Sequence, residues 1–230
     1  MSLPTIATPQ FTTVIPSTGK EVEFRPFLVK EEKILLMALE GGDQNEMVKA
    51  THQIIDACLI TKVDTNKLST FDIEHLFLQI RGKSVGEVIE MKVRHTDNEE
   101  CNHVQTVAIN LEDIKVDGEI QDGKIMITDD VGIKLRYPTM YDIELLEDDE
   151  SLYDVINNCI EYVFDKETVY SDYTKEEIKG WIDNLNQQQF GMISKFMEDI
   201  PRLRHEIKWK CNACGKDDSI MVEGLSSFFT

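Results

Sequence analysis

An α+β fold, with helical layers combined with antiparallel β-hairpins, is predicted for this chain by three observations. Apolar residues recur at helical spacing in two blocks, residues 30–84 and 138–200. Residues 85–137 and 201–230 instead carry short runs of alternating polar and apolar residues bounded by turn formers. The last of these runs surrounds Cys211-Asn212-Ala213-Cys214-Gly215, a chelating turn that makes the C-terminal hairpin zinc-ribbon-like. With an extended N-terminal arm over residues 1–29, the regions are expected to form one cooperative unit, the ribbon of residues 201–230 packing on residues 85–111.

The arm holds Pro4, Pro9, Pro16 and Pro26, separated by Thr-rich extended stretches such as Gln10 to Ile15. Its Gly19-Lys20 pair lacks the first glycine and the Ser or Thr of a phosphate loop, so Pro16 to Lys20 reads as a turn. Glu21 to Phe27 alternates again. Ile34, Leu35, Met37, Ala38 and Leu39 then mark a helix closed by Gly41-Gly42, and Met47, Ile54, Ile55, Cys58 and Leu59 mark a second. His52, near that face, reads as a solvated or satisfied helix histidine. Ser69 or Thr70 caps a third helix, with Phe71, Ile73, Leu76, Phe77 and Ile80 on its stripe and His75 and Arg81 at the surface.

Val88 to Arg94 and Val104 to Leu111 are extended, and Glu112 to Gly123 reads as an acidic solvated connector. Lys124 to Thr128 and Gly132 to Tyr137 form a hairpin turned by Asp129-Asp130 and stopped by Pro138. Thr139 caps a helix running into Leu145 and Leu146. The carboxylates of Glu147 to Glu150 lack calcium-loop spacing and read as a solvated junction. Leu152, Val155, Ile156, Cys159, Ile160 and Val163 predict one further helix. Thr174 and Glu177 form a capping box ahead of Trp181, Ile182 and Leu185, and a last helix spans Gln187 to Asp199. No internal repeat is evident in the sequence.

Two thiolates three positions apart, with Gly215 free to take a positive φ, can hold one side of a tetrahedral Zn²⁺ at about 2.3 Å from each sulfur. A ribbon site needs a second pair. Cys101 and His103 lie between two extended runs and complete a Cys₃His set of Cys211, Cys214, Cys101 and His103 as structural zinc ligands. Cys-x-His is tighter than the usual ligand spacing, which leaves His95 as the alternative to His103. The competing reading is a pair of reduced thiols at a solvated turn. A redox CxxC would open a helix after a strand; here strand follows strand.

The net charge of −19, from 43 acidic against 24 basic residues, disfavours a phosphate-backbone partner. Five cysteines are an odd number, and Cys58 and Cys159 fall in apolar helical patterns, which points to a reducing cytosol. No apolar run is long enough to cross a bilayer. No nucleophile and base stand in a recognised motif, which argues against an enzyme; a zinc-dependent enzyme is the third-ranked reading.

The chain resembles the baseplate hub family of contractile-tailed bacteriophages of the T-even type. The likeness is carried by PSTGKEVEFRPFLVKEEKILLMALEG (Pro16 to Gly41), FDIEHLFLQIRGKSVGE (Phe71 to Glu87), INLEDIKV (Ile109 to Val116), and CNACG followed by EGLSSFF. It implies a virion or virion-assembly protein of the tail baseplate, assembled in the host cytoplasm. Such a protein would act on other baseplate or tail proteins rather than on nucleic acid, membrane or a small-molecule substrate. A hub assembly chaperone absent from the finished particle is the second reading. Phe24, Arg25 and Phe27 are the expected partner-binding residues, because aromatics beside an arginine in a proline-bearing extended stretch are hot-spot types.

Overall fold

Gly19 adopts φ +67°, and this left-handed turn lets Ile15 N–H reach Lys20 O at 2.9 Å, pairing β1 (Phe11–Val14) with β2 (Glu21–Phe24) so that Phe11 faces Phe24. The computed structural model describes residues 6–95, 101–144 and 152–224. α1 (Val29–Gly41) ends at Gly42, whose φ of +68° supplies a left-handed cap, and Asp43 caps α2 (Gln44–Cys58) by accepting from Asn45 N–H. α3 (Thr70–Val85) follows, then the hairpin β3 (Val88–Arg94) and β4 (Val104–Asn110), then β5 (Lys115–Asp117). Next come β6 (Lys124–Met126), β7 (Gly132–Leu135), α4 (Met140–Glu144), α5 (Leu152–Cys159), β8 (Ile160–Phe164) and β9 (Val169–Tyr170). α6 (Lys175–Asp183) and α7 (Gln187–Glu198) lead to the terminal hairpin of β10 (Arg202–Lys210) and β11 (Asp217–Glu223). Helices and antiparallel sheets make the fold α+β, as expected.

The chain forms two compact units: residues 1–65, 71–117 and 202–230 in the first, residues 66–70 and 118–201 in the second. This division groups the five expected regions differently. Residues 1–29 do not form a separate arm. Ile15, Val22 and Phe24 are fully buried, Ser17 N–H donates to Asp72 Oδ1 at 2.8 Å, and Phe27 N–H donates to Ser84 Oγ at 2.9 Å. These bonds fasten the N-terminal hairpin to α3. That helix is apolar on nearly every side, burying Phe71, Ile73, Leu76, Phe77, Leu78 and Ile80, as a central helix must. His75 is therefore no surface residue. Its Nε2 lies 3.0 Å from Thr13 Oγ1, and burial lowers its pKa. His52, too, is buried rather than solvated.

Within the first unit a second core joins Leu78 of α3 to Met91, Val93, Ile109, Leu111, Ile114, Leu203, Ile207, Trp209 and Val222. The expected acidic connector contributes to it. Ile114 is buried, and β5 pairs with β10 (Leu203 opposite Val116) to give the strand order β11-β10-β5. In the second unit the four-stranded order is β6-β7-β8-β9 over a core of Ile133, Leu135, Ile156, Cys159, Ile178, Ile182, Ile193 and Phe196. The helix expected through Val163 stops at Cys159, because the β-branched and aromatic run Ile160 to Phe164 pairs with β7 instead. Leu145, Leu146 and Glu147 to Glu150 lie outside the described residues.

The structure does contain a repeat, one the sequence conceals. Arg25 follows the second strand of a hairpin in the first unit, and Arg136 does so in the second. Arg25 N–H donates to Cys58 O at 3.0 Å, and Arg136 N–H to Cys159 O at 2.9 Å. Their guanidinium groups bond the carbonyls of Ala57 and Asn158, both at 2.8 Å, and those of Pro26 and Tyr137 at 2.9 and 3.1 Å. Each then meets a carboxylate, Glu31 at 3.0 Å or Asp142 at 2.9 Å, which accepts a backbone N–H, Leu28 or Thr139, both at 2.7 Å. Phe24 bridges to Leu59 where Leu135 pairs with Ile160. Hairpin, arginine, helix pair and buried cysteine thus recur in one order.

Candidate metal centre

Alternation along β3 puts Met91, Val93 and His95 on one face, and the first two enter the core shared with β10. His95 N–H bonds His103 O at 3.0 Å and extends the β3–β4 pairing. Across from it, β10 and β11 are joined by a knuckle in which Gly215 N–H donates to Cys211 O and Cys211 N–H to Lys216 O, both at 2.8 Å, with Gly215 at φ +73°. Gln105 locks the two hairpins together: its Nε2 donates to Lys210 O at 3.0 Å and its Oε1 accepts from Asn212 N–H at 2.8 Å.

These constraints gather His95, Cys101, Cys211 and Cys214, whose ligand atoms all lie within 4.8 Å of one another. His103 is exposed and outside the group. Cys101 Sγ and Cys211 Sγ are 3.7 Å apart, and Cys214 Sγ and His95 Nδ1 3.5 Å. The first distance is far beyond a disulfide bond of about 2.05 Å. It matches the edge of a tetrahedron with zinc–sulfur bonds of about 2.3 Å, which is about 3.8 Å, and a sulfur–nitrogen edge comes to about 3.5 Å by the same construction. His95 and Cys211 are almost fully buried, Cys101 half-buried and Cys214 exposed.

The electrostatics suit a cation. The amide of Cys214 points at Cys211 and, against the effect of burial and with help from the Ala213 amide, lowers its thiol pKa. The His103 amide acts in the same sense on Cys101, but burial and the Cys214 and Cys211 thiols outweigh it and leave that pKa raised. Clustered sulfurs therefore resist joint ionisation until a metal compensates them. His95 Nε2 looks toward Asp218 Oδ2 at 3.9 Å, the type of outer carboxylate that orients a metal-bound imidazole. Asp218 and Gln105 escaped the reading of the sequence, since neither belongs to a ligand motif. The alternation Met91, Val93, His95 was the signal that favoured His95.

Phe24 and Phe27 are only 1% and 9% exposed, and Arg25 is engaged by Glu31 and three carbonyl or thiol groups of its own chain. The expected partner-binding stretch is thus core and latch, because its aromatics fill the space between the hairpin and the helices. Cys58 and Cys159 take no part in this cluster of candidate ligands. Burial pushes their thiols up to about 11 and about 12, so both stay protonated. No helix among the described residues is long and apolar enough to cross a membrane.

Residues 8–230 match the family model described as T4 bacteriophage base plate protein. The chain belongs to this family. Neither the comparison with curated proteins nor that with solved structures gives a match. A baseplate protein has its place in the phage tail among other baseplate and tail proteins, in accord with the resemblance carried by Pro16 to Gly41.

Proposed function

We propose that this baseplate protein is a structural component of the hub, acting through protein contacts, with a zinc ion that clips its terminal ribbon to the β3–β4 hairpin. The match over residues 8–230 supports the reading, because it includes the ribbon of Cys211 and Cys214 along with both units. Cys101, Cys211, Cys214 and His95 would hold the ion. Four protein ligands close a tetrahedral site and leave no position for a reacting water, which supports a structural rather than a hydrolytic role.

Mass spectrometry of purified virions, joined to a cryo-EM map of the baseplate, tests the hub assignment. The expected result is the protein at fixed stoichiometry in the finished particle, with hub density fitted by both units. Its restriction to assembly intermediates would make it a chaperone of hub assembly instead.

A further inference from the structure

The second unit carries a groove of about 350 Å³ lined by Val131, Val163, Phe164, Tyr170, Tyr173, Ile178 and Trp181, with the carboxylates of Asp165 and Glu177 beside them. We propose that this groove is a docking pocket for a lysine or arginine side chain presented by a partner protein. This goes beyond the hub assignment and does not depend on the metal.

Four aromatic residues and two carboxylates around one small groove fit a cation on an apolar stem. The stem packs on the rings, the charge rests over a ring face, and a carboxylate completes the pair. The groove lining contains no lysine or arginine to neutralise those carboxylates. Asp165 is fixed by Glu167 N–H, Thr168 N–H and the Tyr170 hydroxyl, at 2.8, 2.7 and 2.8 Å, and Glu177 by Thr174 N–H at 2.8 Å. These bonds, against slight opposition from burial, hold both carboxyls below the usual range, so the groove is negative at neutral pH. The volume admits one long side chain and its flanking backbone, at the lower end of ordinary ligand pockets. A free amino acid would bring its own carboxylate into a negative groove on a chain of net charge −19, whereas a side chain within a polypeptide is flanked by neutral amides.

NMR titration of the whole protein with the capped peptides acetyl-Gly-Arg-Gly-amide and acetyl-Gly-Lys-Gly-amide tests this, because Trp181 and Trp209 give two separable indole N–H signals. The expected result is a saturable shift of the Trp181 signal alone with at least one cationic peptide, and none with acetyl-Gly-Met-Gly-amide. Glu177→Gln keeps the capping geometry while removing the charge, and should weaken binding at least fivefold. Tyr170→Ala, at a residue 49% exposed, removes a wall without opening the core and should do the same. No saturable shift, equal binding of the methionine peptide, or unchanged affinity in both variants would overturn the proposal. None of these outcomes bears on whether the protein is found in virions, so the hub reading stands or falls separately.

Discussion

The two units hold hairpin to helices with the same arginine device, yet they complete their sheets differently. In the first, the added strands end in the Cys211–Cys214 knuckle, which meets a second hairpin where His95 and Cys101 lie beside its thiols. In the second, β8 and β9 extend the hairpin sheet directly and the described residues include no comparable cluster of ligands. A shared latch thus fixes the local fold, whereas the ribbon in the first unit joins segments about a hundred residues apart and gains most from a clip that closes a long loop. The latches themselves differ in detail: Arg136 meets both oxygens of Asp142, Arg25 only one of Glu31. Leu28 offers no side-chain acceptor, so Glu31 caps it from one side only. The Thr139 hydroxyl adds a 2.7 Å bond to Asp142.

Deleting residues 1–28 should break the comparison most severely. It strips Ile15, Val22, Phe24 and Phe27 from the first unit at about 1.5–3 kcal/mol each, and Arg25 with them. Hydrogen exchange is expected to show protection lost throughout the first unit and retained in β7, β8 and α7. Uniform protection in both would show that the N-terminal hairpin is dispensable.

Metal removal comes next. Protein made under metal-replete, reducing conditions should hold one zinc by elemental analysis, and Cys211→Ser with Cys214→Ser should hold none. Chelation should raise exchange in β10, β11 and β4 by orders of magnitude and leave the second unit unchanged, since structural zinc contributes several kcal/mol or more to small ribbon folds. Stoichiometric zinc bound equally by a His95→Ala variant would remove His95 from the ligand set, and His103→Ala is expected to be silent.

Smaller effects should come from the latches. Arg25→Ala leaves the buried Glu31 with only the exposed Lys30, at 3.4 Å, as a cationic partner and should cost about 3 kcal/mol, within the range for breaking buried pairs; Arg136, with a side chain 34% exposed, should cost about 2 kcal/mol. Acid makes the same test on the intact protein. Burial raises the carboxyl pKa of Glu31, but the Arg25 guanidinium and Leu28 N–H outweigh it and leave the pKa lowered. For Asp142, likewise buried, Arg136 and Thr139 prevail. Folded values below unfolded ones mean stability present above the ordinary carboxylate pKa, near pH 4, and lost as pH falls through the depressed values. Denaturant midpoints should hold steady from pH 7 to about pH 5 and fall below about pH 4, with a shallower fall in Arg25→Ala.

Thiol labelling should give the smallest perturbation and the sharpest contrast. Cys58 and Cys159 are expected to resist a maleimide at neutral pH in the native protein and to stay unlabelled after chelation, while Cys101, Cys211 and Cys214 become reactive. Labelling of Cys58 but not Cys159 on chelation would mean that the metal supports the helical part of the first unit as well as its ribbon.

What the sequence determined by itself was local. The β3–β4 strands, the terminal hairpin, the Gly215 knuckle and the Thr174 capping box each depend on neighbours a few residues away, so periodicity and turn chemistry revealed them. Tertiary structure decided what depends on distant pairing. It drew Ile160 to Phe164 from a helical stripe into a strand against β7, turned Phe24-Arg25-Pro26-Phe27 inward, and brought out a repeat whose few matching side chains, Arg25 and Arg136 with their carboxylates, are recognisable only by the carbonyls they meet through space. It also placed His95, not His103, beside the three thiols. Spacing rules count residues along the chain, but a metal site closes through space. Only the packing of β3 on β10 brings His95 toward the thiols and leaves the His103 side chain outside the group.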